Sequence, residues 1–253
     1  MKKIIFYDIP GKTEDGKAWS PNTWNVRFAL NMKGLKYRTE WVEYPDIEAA
    51  CKQIEAPASD VKSDGVTPHY TLPVIQDPNT GRVIADSIAI VDYLDATYPN
   101  TGPPLFPAGT RVLQAAFRDA FASTCSRVLA PVIALATCTH LNPRSYEYFK
   151  RTREEVMGKL EEVAPEGTEK GEAKWKELEE GLTTVAKWFE AGGDTLFVGG
   201  DAPIYADILL AGRLFWARNV LGKDSKAWAR IRAMDGGRWE KFLTEWEKWS
   251  QVV

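Results

Sequence analysis

Apolar and polar positions change rhythm along the chain, and each change predicts an element. Residues 3–9, KIIFYDI, are a nearly unbroken run of β-branched and aromatic side chains, the composition of a buried strand. A polar loop, PGKTEDGKAW, follows. From Ser20 and Pro21 the apolar positions take a helical spacing that ends at Gly34, a residue suited to the position just past a helix. YRTEWVEY alternates and predicts a second strand. In DIEAACKQIE, Ile47, Ala50, Cys51 and Ile54 fall on one helical face, which makes Cys51 a core residue. Residues 55–70 are polar and read as a long loop, a length that accompanies function or motion in compact domains. TLPVIQDPNTGRVIADS reads as two short strands about a Pro-Asn-Thr-Gly turn. SIAIVDYLDATYP predicts a helix that buries Ile88, Val91 and Leu94 and stops at Pro99.

The order is β-α-β-α-β-β-α. The first two strands are joined through a helix and should be parallel; the last two form an antiparallel hairpin. This is an α/β unit over residues 1–100. A Pro/Gly-rich linker covers 101–109. From Thr110 onward the period is helical throughout, with helices expected at 110–139, 143–163, 173–191, 204–219, 224–232 and 238–250. Residues 110–253 thus form an all-α second domain.

Composition narrows the function classes. The chain has 253 residues, a 26% charged and 44% apolar make-up, and a net charge of −3. That is the balance of a globular protein, and it lacks the basic excess of a nucleic-acid binder. Cys51, Cys125 and Cys138 form no CxxC pair and leave one odd, which fits a reducing compartment and core roles rather than a disulfide framework or a metal site. The apolar stretch 112–138 is interrupted by Arg118, Asp119 and Arg127, so no membrane span is expected there. The first residues are too short an apolar run for a signal peptide, and a cytoplasmic location is expected. Ten tryptophans supply large core pieces and rigid walls for flat ligands.

Four local features place this element order in a family. TLPVI puts Pro73, preceded by Leu72, at a strand start, where a proline costs no ladder bond. ADSIAIVDYL puts Asp86 and Ser87 at a helix N-terminus, whose amides and dipole favour an anion. FVGGDAPIYADILLAG holds the pair Ala206 and Asp207, although Ile204 stands where a capping box would place Ser or Thr. WSPNTW opens the first helix with Ser20. Together they resemble the cytosolic glutathione transferases: a thioredoxin-like N-terminal domain followed by an all-helical C-terminal domain. The resemblance covers nearly the whole chain. WSPNTW, the 55–70 loop and HYTLPVI look most like the serine-type, etherase-type FuA class of wood-decay fungi, which is related to bacterial β-etherases.

That resemblance implies glutathione as co-substrate, no metal, and a homodimer. Leu72 and a cis Pro73 would meet the cysteinyl backbone of glutathione. Asp86 and Ser87 would meet its γ-glutamyl end, with Ser87 also a simple helix cap. His69 is a candidate for its glycyl carboxylate, and Asn22 for an assisting role. Either Ser20 or Tyr7 would hold the thiolate. Trp19 and Trp24, with Phe117 and Phe121 of the long fourth helix, are expected to line a pocket for hydrophobic aromatic acceptors. The implied activity is thiol conjugation, with etherase-type or peroxidase side reactions. A non-catalytic carrier of aromatic molecules such as plant polyphenols, or a regulatory module on the same fold, are the alternatives.

Overall fold

A computed structural model describes all 253 residues. The N-terminal part runs β1 (Ile4–Asp8), α1 (Pro21–Met32), β2 (Tyr37–Trp41), α2 (Ile47–Gln53), β3 (Asp60–Val61), β4 (Pro68–His69), β5 (Val74–Asp77), β6 (Arg82–Ala85) and α3 (Ser87–Thr97). Four strands form a sheet in the order β2-β1-β5-β6. β1 pairs parallel with β2 and antiparallel with β5, and β5 pairs antiparallel with β6. This is the thioredoxin-like arrangement. The expected 55–70 loop instead holds the small hairpin β3-β4. Asp64 builds its turn by accepting from the backbone N–H groups of Val66 and Thr67.

Strand alternation divides β1 between two environments. Ile4, Phe6 and Asp8 are fully buried. Asp8 meets Arg27 of α1 at 2.7 Å, and both side chains are excluded from solvent. The guanidinium lies 5.0 Å from the Phe6 ring centroid and 5.7 Å from that of Trp24. Burial pushes the Asp8 carboxyl up, against the pull of Arg27. Ile5 and Tyr7 face the other way.

The helical part follows as α4 (Arg111–Phe121), α5 (Arg127–His140), α6 (Pro143–Met157), α7 (Glu169–Ala191), α8 (Tyr205–Leu221), α9 (Lys226–Ala233) and α10 (Arg238–Trp246). α4 passes into α5 through a wide π-helical turn, Ala122–Ser126. The joined helix is long and apolar enough to cross a membrane by composition alone. Its Phe121, Cys125, Leu129, Ile133 and Cys138 are instead buried in the protein core. α6 is shorter than its periodicity suggests, ending at Gly158 in a positive-φ conformation. α7 starts earlier, because Thr168 caps it by accepting from Gly171 N. Asp207 accepts from the N–H groups of Ile204, Val198 and Gly199, so one acid gathers the turn before α8 without a hydroxyl at 204.

Several contacts fix the helical part to the sheet. α1 and α8 cross at Gly212, where an added Cβ would lie 2.4 Å from Asn25 Oδ1 and 2.9 Å from the Pro21 carbonyl. Lys33 Nζ meets Asp95 at 3.0 Å, and Asp95 also accepts from the linker amides of Leu105 and Phe106. His140 at the end of α5 is enclosed by the loop before α1. Its Nε2 lies 2.7 Å from the Gly16 carbonyl, and any side chain at Gly11 or Gly16 would collide with its ring. The last residues return to the sheet: Thr39 N donates to the Val253 carbonyl, and Tyr37 Oη to that of Gln251. They cover the outer edge of β2, the kind of edge that otherwise invites pairing with another chain.

Candidate active site

Ser20 occupies the N-cap position of α1, with φ −64° and ψ 130°, yet its side chain makes no cap hydrogen bond. Its carbonyl accepts from Trp24 N and Thr23 Oγ1. Pro21 follows at the first helical position, where its missing N–H leaves nothing unsatisfied. The hydroxyl is therefore spare, at a helix end where free amides and the dipole favour negative charge.

Two adjoining cavities share Ser20. The first, of about 530 Å³, has most of the polar side chains of the site along a lining of mixed character and runs from Ser20 and Asn22 past His69 and Leu72 to Tyr148 and Arg153 of α6. The second, of about 160 Å³, is an apolar recess walled by Trp19, Phe149, Met157 and Trp216. Ser20, Asn22, Tyr44 and Arg153 line both. Asn22 is held by Arg213, whose Nη1 donates to its Oδ1 at 3.2 Å. Burial leaves the Trp19 indole N–H without a partner.

The segment before α2 and the start of α6 hold the two aromatic walls together. Ser145 Oγ accepts from Tyr44 N at 2.9 Å and donates to Glu43. Asn142 also donates to Glu43, and Arg144 makes a two-point ion pair with Asp46 at 2.8 Å. Tyr44 and Tyr148 consequently stack, with centroids 5.5 Å apart and planes at 11°. Burial pushes the Tyr44 phenol up to about 12, so it stays neutral and able to donate.

Next to the polar cavity, the Leu72–Pro73 peptide bond is cis. The β5-β6 register sets Ala85 opposite Val74, so Asp86 lies beside Pro73 at the start of α3. Asp86 has φ 75°, and its Oδ1 accepts from Ile88 N and Ala89 N at 3.0 Å each. Asp86, not Ser87, is therefore the helix cap, and Ser87 is the first helical residue.

Family comparison agrees with this geometry. Residues 19–97 match the model of the glutathione S-transferase N-terminal domain, and residues 112–249 match that of the C-terminal domain. The chain belongs to the glutathione S-transferase family. A glutathione S-transferase of Ceriporiopsis subvermispora, CsGST63524, solved in complex with glutathione, is 49% identical, with a TM-score of 0.95 and coverage of 100% of this chain and 99% of that one. The glutathione transferase GSTFuA3 of Phanerochaete chrysosporium is 47% identical, with a TM-score of 0.94 and the same coverage. The glutathione S-transferase-like protein ustS of Aspergillus flavus is 32% identical over 92% of this chain and 84% of its own.

Within this glutathione S-transferase the expected site residues separate into three groups. Ser20, Asn22, His69 and Leu72 face the polar cavity, and Trp19 faces the recess. Pro73, Asp86 and Ser87 do not line the polar cavity: Pro73 follows the lining residue Leu72, and Asp86 lies across from Pro73. The remaining four do not reach it. Tyr7 points to the opposite face of the sheet from Asp8 and Phe6, and donates to Gln76 Oε1 at 2.6 Å. Trp24 is buried against Phe28 and Phe215, its indole N–H bound to the Ala18 carbonyl. Phe117 opens on a separate groove beside Trp188, and Phe121 is buried beneath it. The helix period put Phe117 and Phe121 on one face but could not say which neighbour that face meets. The aromatic side chains that line the cavities beside Ser20 are Tyr44, Tyr148, Phe149 and Trp216, with Trp19. An aromatic cluster, YEYF at 146–149, was the sequence signal for Tyr148 and Phe149.

Proposed function

We propose that the protein activates the thiol of glutathione with the Ser20 hydroxyl and transfers the sulfur to hydrophobic aromatic electrophiles, including aryl compounds of the kind released from wood. The observation that carries this reading is the spare Ser20 hydroxyl at the rim shared by the polar cavity and the apolar recess.

A free thiol has a pKa near 8.5, and only its thiolate is a strong nucleophile. A hydrogen bond to a charged acceptor is worth about 1.5–3 kcal/mol, or roughly one to two pKa units. The α1 dipole acts in the same direction. No general base is required: the proton passes to solvent as glutathione binds. The thiolate then forms a C–S bond at the electrophilic carbon, and the leaving group departs with its electron pair. In this reading Leu72, Pro73, Asp86, Ser87, His69 and Asn22 hold the peptide, and the recess holds the ring. The reaction runs in the cytosol.

The test is conjugation of glutathione to a panel of aryl halides and β-aryl ethers by the natural protein and by Ser20→Ala. Loss of about 10- to 100-fold in kcat/KM is expected from the lost hydrogen bond. Full activity in the variant would remove Ser20 from the mechanism. Binding of aromatic ligands without turnover by the natural protein would favour a carrier.

We further propose a homodimer. Val112 and Leu113, adjacent on α4, are 80% and 70% exposed, and the Arg111–Asp92 ion pair borders them, which makes this surface the candidate interface.

A further inference from the structure

The recess beside Ser20 contains one charged residue. Of the side chains that line it, only Arg153 carries a charge; its companions are Trp19, Ala130, Ala134, Phe149, Met157 and Trp216 with the neutral polar rim. A single cation in an apolar pocket sets the orientation of whatever enters.

The surroundings leave that cation available. Arg153 takes part in none of the ion pairs of the structure, whereas the acids near it are engaged. Glu48 is held by Lys52 at 2.7 Å and by Lys62 at 3.4 Å, and Glu154 by Lys150 at 2.6 Å. The Arg153 guanidinium lies 4.8 Å from the Phe149 ring centroid, which fixes its aliphatic stem against the recess wall. Its charge is felt by the Tyr44 phenol, one of the two stacked rings beside it. An apolar recess with one unpaired guanidinium in its lining suits a ring that bears an anionic group.

We propose that Arg153 makes the protein selective for aromatic acceptors that carry a carboxylate or phenolate, with the ring in the recess and the anion on the guanidinium. This rests on the conjugation reading above. Arg153 also lines the larger cavity with His69 and Leu72, so the test has to separate an anion on the acceptor from a carboxylate of glutathione. The guanidinium is assigned to the acceptor, and KM for glutathione is the readout that separates this from a role in holding the peptide.

A matched pair of probes tests it: 4-chloro-3,5-dinitrobenzoate and its methyl ester. In both, the thiolate forms a C–S bond at C4 and chloride leaves with the C–Cl electron pair. With each rate divided by that of free glutathione and the same probe, because the ester activates C4 more than the carboxylate does, the natural protein should favour the carboxylate by about fivefold in kcat/KM, the scale of an ion pair open to solvent. Arg153→Gln should abolish that preference, Arg153→Lys should keep most of it, and added salt should weaken it. KM for glutathione should stay within about twofold, since the lost ion pair is not with the peptide. Equal losses on both probes, or a rise confined to KM for glutathione, would overturn the proposal. A second arm needs no turnover. Calorimetry with 3,5-dinitrobenzoate and its methyl ester, which lack a leaving group, should show the same preference and its loss in Arg153→Gln. If neither chloro compound reacts, the conjugation reading fails, and this binding arm alone decides for or against Arg153.

Discussion

A serine at a helix start ordinarily spends its hydroxyl on the cap. The structure gives the backbone bonds of that position to the Ser20 carbonyl and leaves the hydroxyl over. The rival, Tyr7, was open because alternation says that Phe6 and Tyr7 differ without saying which faces the site. Asp8 and its partner Arg27 mark the α1 side of β1, and Tyr7 lies on the opposite face, bound to Gln76. The two residues should therefore behave differently in the acid limb of kcat/KM. A donor to the thiolate lowers its pKa, so Ser20→Ala should move that limb to higher pH by about one to two units. Tyr7→Phe should leave it in place. A shift in the Tyr7 variant, read from rate against pH with an aryl halide, would contradict the assignment. Asp86 shows a similar limit of local reading. Either member of the Asp-Ser pair fits a cap, and the bonds from Ile88 N and Ala89 N to Oδ1 show that Asp86 is the one used.

Long, strongly periodic elements were legible; short polar ones were not. β3 and β4 contribute two residues each and carry no alternation, so the hairpin looked like loop. Its one cue was the Ser-Asp-Gly of the turn. The α1–α8 crossing was invisible for a different reason, since a glycine inside a helical pattern does not announce what touches it. Gly212→Ala should force a methyl into Asn25 and the Pro21 carbonyl, costing about 1–3 kcal/mol in denaturant unfolding. The same variant should lose activity, because Pro21 is the residue after Ser20. The β5-β6 hairpin is pinned to α3 by Asp77, which accepts from Tyr93 and Tyr98. Burial pushes the Asp77 carboxyl up, but these hydrogen bonds and Asn79 outweigh it and hold it below the usual range. A group with a lowered folded pKa stabilises above its unfolded value, near 4, and loses that contribution as pH falls through the folded one. Tyr98→Phe should then cost about 1–2 kcal/mol near neutral pH, with the gap narrowing below about pH 4. A gap independent of pH would assign the loss to packing.

At the scale of the whole molecule, the order of elements and the change from mixed to helical texture gave the architecture. The site itself lies where sheet and helices meet, and no single segment of sequence could outline it. Tyr44 comes from the turn before α2, Arg153 from α6 and Trp216 from α8. Their convergence depends on Glu43 and Asp46 engaging Asn142, Arg144 and Ser145. The proposed dimer is testable at this scale. Leu113→Glu, placed on an exposed apolar surface, should lower the sedimentation coefficient toward that of a 28.4 kDa monomer without unfolding the chain. An unchanged coefficient would move the interface elsewhere. The recess has a last consequence, which is optical. Of the ten indoles in the chain, Trp19 and Trp216 form its walls, the first shielded with a free N–H and the second bound to Thr137. A nitroaromatic seated between them would dim their emission, so the protein carries its own light signal for an occupied recess.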